Sequence, residues 1–166
     1  MRLGYCSNLH AGESVADIRT GLRDFTLELK RRLGVTESFG VGLYLPASAA
    51  EQLASREGQN EIEEWVAFCG GEGIDPFTFN AFPYGDFQRD GLKADVYTPT
   101  WNEVARGGFT QNVAQVARTL QAGLPFAHEG GHISISTHPG AHVSQAASTA
   151  DVHACVENSH NPDIAC

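Results

Sequence analysis

His128-Glu129-Gly130-Gly131-His132 matches H-E-x-x-H letter for letter. That pattern holds Zn²⁺ when a helix sets both imidazoles on one face at i and i+4, with the glutamate beside them as general base. Here two central glycines disfavour the helix, and Ile133-Ser134-Ile135 follows at once as a strand-like run. The stretch therefore reads as a polar loop, with a zinc hydrolase as the alternative. His138 and His142 repeat the four-residue spacing, and with His153, Cys155 and His160 they offer soft and borderline ligands for Zn²⁺ or Ni²⁺ without a nameable second shell. A different set suits a small polar substrate. Asn8, His10 and Glu13 follow one short apolar run, Asn80 and Tyr84 leave another, and Thr137 closes a third. Each also has a plain structural role: Asn8 and His10 in satisfying loop backbone, Glu13 in favouring a helix start, Thr137 in ending a strand.

The elements that position these residues alternate. Residues 3–8, 39–45, 77–80 and 132–137 read as β-rich runs, the last with the two-residue period of a sheet. Pro76 fits only the first position of its strand. Between the first two runs, Val15, Ile18, Leu22, Phe25, Leu29 and Leu33 share one face at 3.6 residues per turn. Ser14 with Asp17 gives that helix a capping box, and Gly34 stops it. Ser48 with Glu51 offers a second box for a helical region to about Cys69, split at Gly58. Thr100 with Glu103 offers a third. Phe109, Val113, Val116 and Leu120 follow it, with Gly107-Gly108 weakening the first turns. Strands alternating with helices in this way predict a parallel sheet with crossover helices, doubly wound or one arc of a barrel. Neither G-x-G-x-x-G nor G-x-x-x-x-G-K-[ST] occurs. The polar candidates fall just after strand ends, where a TIM barrel keeps its site.

Composition narrows the partners. With 11 Lys+Arg against 20 Asp+Glu in 166 residues, the charge of −9 argues against nucleic acid or an anionic membrane surface. No apolar stretch spans a bilayer and no signal peptide is recognisable, so the expected location is cytoplasmic, with Cys6, Cys69, Cys155 and Cys166 as reduced thiols. The chain is uneven. Arg118 is its last basic residue, and from Ala141 onward it has no Leu, Phe, Trp or Tyr. Two regions are expected: 1–140 with the core, and 141–166 as a divergent, irregular or disordered tail.

Leu3-Gly4-Tyr5-Cys6-Ser7-Asn8 with His10 and Gly12-Glu13, Phe39-Gly40-Val41-Gly42-Leu43, Phe77-Thr78-Phe79-Asn80-Ala81-Phe82-Pro83-Tyr84-Gly85, and Ser134-Ile135-Ser136-Thr137 with Pro139-Gly140 together resemble the amino-terminal half of EboE-type metabolite traffic proteins, over about residues 1–140. The resemblance implies a xylose-isomerase-like (β/α)₈ barrel related to sugar-phosphate isomerases and epimerases, handling a small-molecule metabolite. In that superfamily a divalent metal sits on later strands, so no metal ligand carries over to this chain. Asp75-Pro76, Gly107-Gly108 and His138 depart from the family pattern.

The expectation is then an α/β partial TIM barrel of about four parallel strands and three helices, inactive as an isomerase alone. Its substrate-binding residues would be Asn8, His10, Asn80, Tyr84 and Thr137. A non-catalytic binding or self-associating module is the alternative. An open half barrel would expose an inner face drawn from Tyr5, Val41, Leu43, Phe77, Phe79, Ile133 and Ile135, which favours a homo-dimer closed face to face.

Overall fold

A computed structural model describes residues 4–10, 12–85, 87–88, 90–126, 132–138, 140–145 and 148–159. Strands β1 (Gly4–Cys6), β2 (Phe39–Tyr44), β3 (Ile74–Asn80) and β4 (Ser134–Ser136) form one all-parallel sheet in the order β1-β2-β3-β4. The third strand begins three residues earlier than the sequence suggests and runs through Pro76. It can do so because the ladder slips there: Val41 faces Pro76 but Gly42 faces Thr78, leaving Phe77 as an extra residue. Proline has no N–H to give to a ladder, and a bulge is one of the few places where a strand accepts it.

Helix α1 (Val15–Gly21) starts in the expected capping box of Ser14 and Asp17. It continues through a π-helical turn, Leu22–Thr26, into α2 (Leu27–Arg32). That turn corrects the apolar face read from spacing. Phe25 is 59% exposed and Leu33 49%, while Thr26 is fully buried. One wider turn holds an extra residue and so rotates everything after Leu22 on the helix surface. Gly34 takes φ +65° at the end, where the Gly34 and Val35 amides close back on the Arg31 and Lys30 carbonyls.

Helices α3 (Ala47–Ala54) and α4 (Gln59–Glu72) are divided at Gly58 as expected. The Ser48–Glu51 box does not form. Pro46 holds the N-cap position, and the Ser48 hydroxyl donates instead to the Glu13 carbonyl at 2.9 Å. Helix α5 (Val104–Gly123) passes through Gly107 and Gly108 unbroken. Its buried stripe of Phe109, Thr110, Val113, Val116, Ala117 and Leu120 outweighs a propensity cost of about 1 kcal/mol per glycine. The expectation of an irregular tail also needs correction. Residues Thr149–Ser159 form α6, started by a reciprocal Ser148–Asp151 cap and seated through Cys155, 5% exposed. Short polar caps and one buried thiol do there what the missing Leu and Phe would otherwise do.

Val41, Leu43 and Phe79 belong to one core with Ala50 and Leu53 of α3, Ile62 and Trp65 of α4, and Val113 and Leu120 of α5. The helices therefore cover this face of the sheet. The opposite face is small and polar. A Cβ on Gly42 would lie 3.0 Å from Cys6 Sγ and 3.3 Å from Thr78 Cγ2, and one on Gly4 would strike the Phe77 ring. By strand alternation, Asn80, Ser134 and Ser136 join this side. The apolar inner face expected from the sequence is thus corrected, since of the residues drawn on for it only Phe77, 40% exposed, lies on this side, while Tyr5, Val41, Leu43, Phe79, Ile133 and Ile135 pack with the helix-side core. The hydrophobic drive for two copies to close face to face is correspondingly smaller. Among the described residues, no helix is long and apolar enough to cross a membrane.

Candidate functional site

The carboxyl ends of β1, β3 and β4 surround a cavity of about 100 Å³ lined by Cys6, Asn8, Thr78, Asn80 and Ser136, with Gly42 as its floor. Strand pairing brings Cys6, Gly42, Thr78, Asn80 and Ser136 together, because parallel neighbours in register end side by side, and the 3₁₀ turn Ser7–Leu9 that follows β1 adds Asn8. Asn80 is fixed by its own loop: its Oδ1 accepts the Phe82 amide at 3.0 Å and the Ser136 hydroxyl at 3.3 Å. The Thr78 hydroxyl donates to the Ser134 carbonyl at 3.2 Å, and the Cys6 thiol is exposed. Two carboxamides, two hydroxyls and a thiol give both donors and acceptors without a fixed charge. This is a surface suited to the hydroxyl groups of a small polar molecule.

Of the five residues expected to contact substrate, only Asn8 and Asn80 meet here. Tyr84 lies in a separate cleft of about 460 Å³, lined also by Glu13, Gly85, Phe87, Asp95 and Thr98. Its ring meets Phe109 edge-on at 5.2 Å. His10 shares a hydrogen bond with the Tyr5 hydroxyl at 2.9 Å and packs on Phe25 at 4.8 Å, with Gly21 of α1 close behind it. That contact is made by the π turn, and burial lowers the His10 pKa. Thr137 is exposed and lines neither cavity. Spacing did not point to Cys6, Thr78 and Ser136 as lining residues. The signal was available, since they sit at alternate positions with Asn80 on the small-residue side of the strands.

A second group carries more burial than any sequence feature announced. Arg106 is fully buried on α5. Its Nε donates to the Pro99 carbonyl at 2.8 Å, and its Nη1 to the Ala81 and Phe82 carbonyls at 3.0 Å each. The guanidinium also lies 5.7 Å from the Tyr84 ring and 5.4 Å from Phe109, while Nη2 has no partner. Burial pulls its pKa down to about 10, so it stays charged at neutral pH. Arg106 thus ties the loop after β3, which bears Tyr84, to α5. The trace of this in the sequence is a lone arginine three residues before Phe109 on the apolar stripe.

His138 is 4% exposed and sits among Phe82, Tyr97 and Trp101, with ring centroids 5.6, 5.7 and 6.4 Å away. Its Nδ1 accepts the Gly140 amide at 3.2 Å, and its carbonyl accepts Trp101 Nε1 at 3.1 Å. Burial and the charge of Arg106 push its pKa down to about 4, against a small opposing effect of the Pro99 carbonyl. The imidazole is neutral at pH 7.

His128, Glu129, Gly130 and Gly131 of the H-E-x-x-H string lie outside the described residues, as does His160. His132 is exposed, two residues ahead of β4. His142 spends its Nδ1 on the Ser144 hydroxyl at 2.8 Å. Among the described residues, no group of three or more His, Cys, Asp or Glu is placed to hold a metal ion. The small cavity offers carboxamides, hydroxyls and a thiol but neither carboxylate nor imidazole, a donor set that does not fit a divalent cation held by Glu, Asp and His. No family model, curated protein or solved structure matches the chain.

Proposed function

We propose that this chain is an arc of a xylose-isomerase-like barrel, akin to EboE-type metabolite traffic proteins, that binds a small polyhydroxylated metabolite at the carboxyl ends of its strands. The observation that carries this reading is the convergence of Asn8, Thr78, Asn80 and Ser136 on one cavity at that end of the sheet. Barrel enzymes and binders place ligands at the carboxyl ends of parallel strands. The uninterrupted strand order favours a barrel arc over a doubly wound sheet, whose order reverses at a switch point. Carboxamides and hydroxyls pair with sugar hydroxyls as donor and acceptor together. No general base or nucleophile is assigned, and binding without turnover is the activity inferred for this polypeptide.

Calorimetric titration with a panel of pentoses, hexoses and their phosphates tests this. Binding by at least one member, weakened about tenfold or more in Asn80→Ala, supports the reading; a loss of that size corresponds to about 1.4 kcal/mol, one or two hydrogen bonds. A panel without binding, or binding unchanged in Asn80→Ala and Ser136→Ala, overturns it.

A further inference from the structure

The wide cleft beside Tyr84 has one wall formed by the short 3₁₀ turn Lys93–Tyr97 and Thr98. That wall is held from behind by the stretch leaving β4. Gln145 Nε2 donates to the Thr98 hydroxyl at 2.9 Å and the Ala94 carbonyl at 3.4 Å. The Tyr97 ring packs on both His138 and His142, at 5.7 and 5.6 Å. Next to it, the Trp101 amide donates to the Gly140 carbonyl at 3.1 Å, and its indole donates to the His138 carbonyl. At the centre of this fastening is a neutral imidazole enclosed by three aromatic rings.

We propose that His138, Gly140, His142 and Gln145 form a strap that holds the Lys93–Tyr97 wall in place and lets go when the His138 imidazole takes up a proton. Protonation turns Nδ1 from an acceptor into a donor, so the bond from the Gly140 amide is lost. It also puts a cation into a site that water cannot solvate. The charged and titratable groups around the ring do not help the cation. From α5 comes Arg106, another cation, with Glu103 at the helix start facing the arginine. From the 3₁₀ turn comes the phenol of Tyr97, and from the strap His142, held through Tyr97. Among the described residues, no carboxylate is bonded to His138. The Pro99 carbonyl alone favours the proton. This inference is independent of the ligand reading, because it concerns the wall of the other cleft.

The direction of the pH effect follows. A histidine whose pKa falls from 6.5 free to about 4 in the closed form leaves the closed form unpenalised above pH 6.5. The open form gains about tenfold per pH unit below that, reaching on the order of a hundredfold near pH 4. Amide hydrogen exchange between pH 7 and 4.5, expressed as protection factors, reads this opening. The expected result is a progressive loss of protection confined to residues 93–101 and 137–145, with β2 unchanged, and no pH dependence in His138→Phe. Protection in those segments that does not vary with pH, or that falls in step with β2, overturns the proposal, as does the same slope in His138→Phe. Should that variant not fold, the comparison of the strap with β2 in the unaltered protein decides.

Discussion

Asn80 Oδ1 accepts the Ser136 hydroxyl at 3.3 Å, joining the last residue of β3 to the last residue of β4 at the mouth of the small cavity. The same oxygen accepts the Phe82 amide, so one side chain closes the sheet and starts the aromatic loop. Asn80→Ala removes the acceptor from both. The expected cost is about 1 to 2 kcal/mol in urea denaturation, from the amide left without a partner. Asn80→Asp, which keeps an acceptor at this position, is expected to recover part of it.

Arg106 makes a stronger prediction. Its guanidinium satisfies the carbonyls of Ala81, Phe82 and Pro99. Arg106→Met leaves all three without that donor and is expected to cost about 3 kcal/mol or more. Arg106→Lys restores the charge but not the fork of donors, and is expected to fall between the two. Thermal and urea melts of the three proteins check the order.

Much of the framework was legible because it rests on local signals. The Ser14–Asp17 box, the stop at Gly34, the break at Gly58 and the strand core at residues 39–44 each follow from a cap, a positive φ, a missing side chain or a buried apolar run. What was not legible depends on neighbours. Pro76 lies inside a strand because β2 slips its register against it. The π turn moves Thr26 into the core in place of Phe25. Gly107 and Gly108 stay helical because the opposite face of α5 is buried. In the candidate site, Asn8 and Asn80 were visible as polar residues at strand ends. Cys6, Thr78 and Ser136 were not, because which alternate set faces away from the helices is decided by the packing of Val41, Leu43 and Phe79.

Thr26 tests the rephased helix. Its hydroxyl is fully buried without a hydrogen-bond partner. Thr26→Val keeps the shape and removes the unsatisfied group, so it is expected to stabilise the protein by about 1 kcal/mol. Phe25→Ser, at the exposed position, is expected to cost less than a core truncation of the same size. A destabilised Thr26→Val would place the hydroxyl in a bond and count against the π-turn geometry.

On the surface of α2, Glu28 bonds to both Arg31 and Arg32, at 2.7 and 2.6 Å, and these bonds hold its carboxyl down to about 2 from 4.5. The folded pKa is the lower one. The contribution is therefore complete above about pH 4.5 and disappears as pH falls toward 2. Carboxyl ¹³C titration is expected to find the low midpoint, and Arg31→Gln to raise it.

The most direct test of the binding reading is chemical-shift mapping of the ¹⁵N-labelled chain during titration with the sugar or sugar phosphate that calorimetry selects. The account predicts saturable shifts at the backbone and side-chain amides of Asn8 and Asn80 and at the amides of Thr78 and Ser136, absent in Asn80→Ala. Shifts gathered around Tyr84 and the Lys93–Tyr97 turn, or none at the carboxyl ends of β1, β3 and β4, would contradict it.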